Sequence, residues 1–206
     1  MLPFSIVVAF TDIQRGIGSN GKIPWYLPQD MKHFKVLTTN IKNSKYNKIT
    51  TSHSSSPELT RITTSFQDFI ILQNAVIMGR KTYDSLPANT KPLPGRINIV
   101  ISMNPDCVKD SDVIFASSLQ NAFDMLKSVI NIDQIFVIGG ESIYREAILL
   151  PNCEKIYVTK IREPEESIIK YDTFFPIIPE TFLLDFETVK MTENQYEFQF
   201  LEYRKK

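Results

Sequence analysis

The sequence predicts an α/β fold: a mostly parallel sheet with helices on both faces and antiparallel strands near its C-terminal end. Three observations predict it. Short, unbroken apolar runs recur along the chain, as strands buried on both faces require. Several of these runs end and pass directly into helical spacing, the alternation that builds a parallel sheet. The tail alternates between apolar and polar residues instead, which marks antiparallel strands.

The elements follow in chain order. SIVVAF (5–10) is the first buried strand. PQDMKHFKVL (28–37) has helical spacing, with Pro28 at the first helical position, where a missing N–H does no harm. Residues 39–65 are rich in Ser, Thr, Asn and Lys and read as a polar insertion loop, because a structureless loop of that length is uncommon inside a compact domain. NAVIM (74–78), INIVIS (97–102), VIFA (113–116), QIFVI (134–138) and KIYVTKI (155–161) are strands. RKTYDSL, SLQNAFDMLKSVI (118–130) and ESIYREAIL are helices; the second carries Leu119, Ala122, Phe123, Leu126 and Ile130 on one face. FLLDFETVK and YEFQFLEYR read as an antiparallel hairpin joined by MTEN. The chain, 1–206, reads as one domain.

Composition excludes several classes of function. Lys plus Arg and Asp plus Glu both number 23, so the balanced charge offers nothing to nucleic acid or an anionic membrane. The apolar runs are far shorter than the roughly 20 residues of a bilayer span. Nothing basic precedes LPFSIVVAF, and Thr11 and Asp12 cut it short, which argues against a signal peptide. Cys107, Cys153, His33 and His53 do not lie at metal-ligand spacing. The expectation is a metal-free cytoplasmic protein.

Three glycine motifs compete for attention. GIGSNG (16–21) matches G-x-G-x-x-G and follows a strand, but a dinucleotide fingerprint needs its last glycine to open a helix. Pro24 and Pro28 forbid a continuous helix after Gly21, so the segment is either a lid or an ordinary long turn. VIMGRKT sets Gly79 at a strand end with Arg80 and Lys81 at the helix start. Cations there oppose the macrodipole, a cost that a bound phosphate would offset; two solvated surface cations are the plain alternative. VIGGESIY puts Gly139-Gly140 between a strand and a helix, where a ligand could lie on the backbone or the turn could simply be tight. Two such junctions in one parallel sheet suit a ligand with separated phosphates, such as a dinucleotide.

Asp30 is the other point of interest. At 3.6 residues per turn, Leu27, Met31, Phe34 and Leu37 form an apolar stripe, and Asp30 lies inside it while Lys32 and Lys35 point away. An acid in a first turn needs no further reason, since the macrodipole favours it. The alternative is a carboxylate facing an apolar pocket, its pKa raised by desolvation and its oxygens paired with ligand donors.

VVAF (7–10), GIGSNGKIPW (16–25), LPQDMKHF (27–34), VIMGRKTYDSLP (76–87), KPLPGRINIVIS (91–102), FVIGGESIYREA (136–147), KIYVTKI (155–161) and DTFFP (172–176) together resemble the dihydrofolate reductase family, in its order and over most of the chain outside 39–65. The resemblance implies an eight-stranded, mostly parallel sheet with an antiparallel C-terminal strand. It implies hydride transfer from NADPH to C6 of 7,8-dihydrofolate, with protonation at N5, and binding of antifolate inhibitors. Asp30 would hold the pterin's 2-amino and ring N–H edge and promote N5 protonation through water, with Thr159 supporting its carboxylate. Val7, Val8, Met31, Phe34, Leu86, Leu93 and Ile138 would line the folate site, and Arg96 would grip the α-carboxylate of the glutamate tail. Ala9, Ile17, Trp25 and Tyr144 would surround the nicotinamide, with Gly18 and Gly21 in the lid and Tyr144 also facing substrate. Gly79, Arg80, Lys81, Thr82, Ser102, Gly139, Gly140, Glu141, Ser142 and Ile143 would complete the cofactor site, Gly139-Gly140 through a cis peptide. Met103 stands where the family often has an arginine for the 2′-phosphate, which shifts NADPH preference onto Arg80 and Lys81.

The resemblance implies a monomer, or the reductase part of a chain that also carries thymidylate synthase. A same-fold pyrimidine reductase of riboflavin synthesis is the rival, disfavoured by the P-W-x-x-x-x-D segment and Arg96. A non-catalytic ligand-holding domain is disfavoured by Asp30, Thr159 and the intact GIGSNG.

Overall fold

The computed structural model describes residues 2–43, 72–104, 111–129, 131–164 and 169–206. Most of the expected 39–65 insertion, and Ile130, lie outside the described residues.

Strand β1 (Phe4–Thr11) runs through the middle of the main sheet. Parallel neighbours flank it: β7 (Cys153–Arg162) on one side and β6 (Ile132–Val137) on the other. Beyond β6 the sheet continues through β3 (Gln73–Gly79), β4 (Arg96–Ile101) and β5 (Val113–Ala116), all parallel. The chain therefore steps outward from β3 to β5 and then returns to fill the gap beside β1. That reversal opens a crevice at the C-terminal ends of the strands, the usual place for a ligand in such sheets.

Strand β11 (Tyr196–Lys205) closes the other edge, antiparallel to β7. Here the structure corrects the expected hairpin. MTE is not a connection but a strand of its own, β10 (Met191–Glu193), paired with β11 from Met191↔Phe198 to Glu193↔Tyr196. The turn is Asn194-Gln195, both with positive φ (51° and 53°), as a two-residue hairpin requires. Gln at such a position hides the turn from a sequence reading. Strand β9 (Phe182–Glu187) pairs with the same edge of β11 farther along, from Leu201↔Glu187 to Lys205↔Phe182. Among the described residues the sheet thus holds nine strands in eight positions, the expected eight-stranded, mostly parallel arrangement. GIGSNG contains a strand as well: β2 (Gly16–Gly18) pairs with β8 (Thr173–Phe174) in a separate two-stranded ribbon.

The period of two splits the core into two layers. Ile6, Val8, Ile77, Ile99 and Val137 pack on one face beneath α3 (Leu119–Leu126) and α4 (Glu141–Ala147), where Leu119, Ala122, Phe123, Leu126, Ile143 and Ala147 are buried. Val7, Val76, Met78, Val100 and Phe136 pack on the other face, with Tyr83 of α2 (Arg80–Ser85) and with Phe34 and Leu37 of α1 (Pro28–Thr39). Ser118 caps α3 by accepting the Asn121 N–H at 3.0 Å, so the helix starts one residue later than expected.

Helix α1 runs two residues past the expected helix end and one residue into the expected insertion. Thr38 and Thr39 bond back to the Phe34 and Lys35 carbonyls at 2.7 Å each. Past its end, the buried Asn74 side chain donates to Thr38 O at 3.1 Å and Asn40 O at 2.9 Å, and accepts from Gln134 N at 3.1 Å. Asp133 accepts from the Asn43 backbone N–H at 3.1 Å. The chain on the N-terminal side of 44–71 is therefore fixed to β3 and β6.

Fully buried Phe123 stands against Phe4, ring centroids 4.9 Å apart, whereas Phe186 on edge strand β9 is 57% exposed. Phe123→Ala should cost about 3–5 kcal/mol in urea unfolding, and Phe186→Ala no more than about 0.5 kcal/mol.

Candidate active site

The crevice is a cleft of about 1530 Å³ crossing the C-terminal ends of the parallel strands. Every residue named for the site from sequence lines it except Gly139, which lies just behind Gly140. The cleft has three regions, each set by a different part of the chain.

At its centre stands Asp30, on the third residue of α1. Thr159, on β7 beside Ala9 of β1, is 4% exposed and donates its hydroxyl to Asp30 Oδ1 at 2.6 Å. Burial holds the Asp30 carboxyl above the ordinary carboxylate range; the Thr159 hydrogen bond works against that rise, and the charge of Glu193 adds to it. The other oxygen, Oδ2, has no donor among the described residues. A few residues away, Tyr144 of α4 donates its hydroxyl to Val7 O at 2.8 Å. Burial, and secondarily the Asp30 charge, hold the Tyr144 phenol well above its usual pKa, so it remains a donor.

Apolar side chains from both layers line the central walls: Val7, Val8, Ile138, Leu93, Leu86, Met31 and Phe34. Met31 is 48% exposed and Phe34 and Leu37 are half-buried, so the stripe on α1 faces the cleft as much as the sheet. This explains an acid inside it: the stripe borders a cavity rather than a closed core.

The outer end on the α1 side belongs to Arg96, at the first position of β4 and only 8% exposed. It donates from Nε to Pro94 O at 3.1 Å and from Nη1 to Thr38 Oγ1 at 2.7 Å, and its guanidinium carbon lies 5.7 Å from the Phe34 ring centre. These bonds use two of five N–H donors. Burial lowers its pKa, yet an arginine remains charged near neutrality. No described carboxylate lies within ion-pairing distance of it. A buried guanidinium without a counter-charge is a ready partner for an anionic ligand.

The opposite end is built from chain reversals. Gly139 and Gly140 are joined by a cis peptide, and Gly139 has φ +110°. A Cβ on Gly139 would lie 2.9 Å from the Tyr144 ring, so only glycine fits. Gly79 N donates to Gly139 O at 2.7 Å, fixing the ends of β3 and β6 side by side. Thr82, Ser142 and Ile143 stand around this cradle, and a Cβ on Gly140 would press to 3.1 Å from Thr82 Oγ1. Arg80 is tied to Asp84 one turn on at 2.6 Å; both are well exposed, so the pair is weak and exchangeable. Lys81 is exposed, Ser102 is buried, and Met103 stands 93% exposed beside it.

The GIGSNG segment carries Ile17, Gly18 and Gly21 and leads to buried Trp25. It is fastened through β8: Asn20 N donates to Asp172 at 2.7 Å and Ser19 Oγ to Lys170 O at 2.7 Å. Glu141 joins this ribbon to α4, accepting from Phe174 N at 2.8 Å while pairing with Arg145 at 2.7 Å.

Several cleft residues were not expected from sequence. His33, Tyr157 and Thr173 line it, as do Ser117 and Ser118 before α3. The Ser118 cap position was the one readable signal, since a Ser before an apolar helical run marks a helix start.

The comparisons with known proteins agree with this geometry. The dihydrofolate reductase family profile matches residues 3–43 and 57–205, leaving out only a part of the expected insertion and the extreme ends. A dihydrofolate reductase of Drosophila melanogaster is 33% identical over 88% of this chain and 84% of its own. A bifunctional dihydrofolate reductase-thymidylate synthase of Daucus carota is 34% identical over 97% of this chain; the chain spans about a third (33%) of that relative's length. The solved structure of Schistosoma mansoni dihydrofolate reductase superposes with a TM-score of 0.75 at 29% identity, covering 100% of this chain and 99% of the other. The chain belongs to the dihydrofolate reductase family.

Proposed function

We propose that this cleft reduces 7,8-dihydrofolate to tetrahydrofolate with NADPH, alone or as the reductase part of a longer bifunctional chain. The observation that carries the reading is the Asp30–Thr159 pair among the apolar walls at the centre of the cleft. Thr159 uses its proton on Oδ1 and leaves the rest of the carboxylate open to two N–H donors on one edge of a planar ring. That edge is the 2-amino and ring N–H side of a pterin, and a charge-assisted pair of this kind fixes ring orientation. Phe34, Val7, Val8 and Ile138 then enclose the ring and exclude water, and Arg96 takes the α-carboxylate of the glutamate tail.

The raised pKa of Asp30 bears on the proton. A carboxyl that stays protonated closer to neutral pH can promote protonation at N5 through a water molecule. NADPH supplies the hydride. The glycine cradle suits such a ligand, because Gly79 and Gly140 line the cleft as bare backbone and the Tyr144 ring leaves Gly139 no room for a side chain. Gly140, Ser142, Thr82, Arg80, Lys81 and Ser102 would hold it, while Ala9, Ile17, Trp25 and Tyr144 would surround its reactive ring. With Met103 in place of a cation, Arg80 and Lys81 carry the preference for a 2′-phosphate.

The reading is tested by following loss of NADPH absorbance with dihydrofolate, with and without methotrexate. Methotrexate-sensitive turnover is expected, and its absence sinks the proposal. Asp30→Asn should lower hydride transfer by about 10²-fold or more near neutral pH while NADPH affinity stays within about threefold.

Stability should move the other way. The folded pKa of Asp30 exceeds its unfolded value, so its contribution is most favourable at acid pH and is lost as pH rises through the folded value. The melting temperature of Asp30→Asn relative to wild type should therefore rise between pH 4 and pH 7; a constant difference would contradict the raised pKa. Arg96→Leu should weaken folate binding by about 2–5 kcal/mol, the scale for one partner of a desolvated charge pair, measured by fluorescence titration. An unchanged dissociation constant would remove Arg96 from the tail site.

A further inference from the structure

Helix α1 begins without a cap of its own. Its N-cap position is Leu27, which offers no side-chain acceptor, and Pro28 has no N–H, so the first open donor is the Gln29 N–H. That donor is met from the far end of the chain: Glu193 Oε2 accepts it at 3.0 Å. The next residue, Asn194, donates from Nδ2 to Tyr26 O at 2.9 Å. The tip of the β10–β11 hairpin thus holds the chain on both sides of Leu27, one residue short of Asp30. Glu193 is the last residue of β10, fixed in register opposite Tyr196 by the two-residue turn. Glu193 does not line the cleft, and no described lysine or arginine lies within 4.0 Å of it. Its negative charge therefore stands beside the first turn of α1 with the helix N-terminus, and no described side-chain cation, to meet it.

We propose that Glu193 is a positioning residue for Asp30: it caps the first turn of the helix that carries the acid and places a like charge beside that turn. The proposal rests on the reading of Asp30 as the acid that orients the substrate. The other groups facing Asp30 do not supply this effect. From β7, Thr159 donates a hydrogen bond that favours the ionised form. From α4, Tyr144 is a neutral phenol at any working pH. On α1 itself, His33 is stacked on Phe200 of β11, ring centroids 3.9 Å apart, and burial lowers its pKa toward the neutral imidazole. Val7, Val8 and Ala9 of β1 bring no charge. Glu193 is the neighbouring carboxylate of like sign, and its charge adds to burial in favouring the protonated Asp30 carboxyl.

Glu193→Gln separates the two roles, because the amide oxygen can still accept from Gln29 N while the charge is gone. The Asp30 carboxyl is followed by ¹³C NMR titration of the unliganded protein, assigned by its loss in Asp30→Asn. At the wild-type midpoint, the protonated fraction in Glu193→Gln should fall below one half. The alkaline fall of kcat/KM for dihydrofolate should move to lower pH by the same amount, with the acid plateau within about twofold of wild type. Glu193→Ala should show the same displacement and, having lost the cap, a raised KM as well. A Glu193→Gln titration that superimposes on wild type, or moves to higher pH, overturns the proposal. Because that titration needs no substrate, it judges Glu193 even if wild type fails to reduce dihydrofolate, a failure that would count against the proposed activity alone.

Discussion

The double burial of β1 is the constraint on which the rest of this structure depends. Ile6 and Val8 go to one core layer and Val7 to the other, so neither face of the central strand can be left open. A parallel sheet covered on both faces has only its strand ends available to a ligand. The reversal of strand order around β1 then decides which ends are free. Val7, Val8 and Ala9 come to the cleft because they lie toward the C-terminal half of that strand. Tyr144 and Thr159 reach it from the elements that cover and flank β1.

Within the cleft, electrostatics are arranged by scarcity. The central walls are mostly apolar, and the polar groups that matter there and at the Arg96 end are held by specific partners: Asp30 by Thr159, Tyr144 by Val7 O, Arg96 by Thr38 and Pro94 O. Each partner fixes direction without neutralising charge. Asp30 keeps an open oxygen and Arg96 keeps open N–H donors, so the two ends of a long ligand can be recognised by opposite charges. The apolar span between them supplies contact area and excludes water, which strengthens both interactions.

The sequence was informative where chemistry is local. Apolar runs located the buried strands, the prolines excluded a helix after Gly21, and the stripe on α1 exposed Asp30 as a residue with two explanations. Periodicity could not choose between them, because choosing required knowing that the stripe borders a cleft. Thr159 and Arg96 were legible only through the ordered set of motifs; alone, one is a β-former and the other a surface cation. What stayed hidden was long-range. Glu193 lies 164 residues from Gln29 and carries no sequence signal for capping a helix. The β10 strand was hidden for a different reason, since a Gln in a left-handed turn leaves no glycine to mark it.

The fastening of α1 to β3 and β6 has a mechanical consequence. Asn74 clasps the end of α1, and Asp133 holds the backbone at Asn43. Changes of length between that clasp and β3 are therefore not transmitted to the helix bearing Asp30. The entropic cost of a longer connection also grows slowly, by about 0.6 kcal/mol for each doubling of its length. Asn74 acts as a mechanical ground, so a change of length at this point would leave the acid where it is.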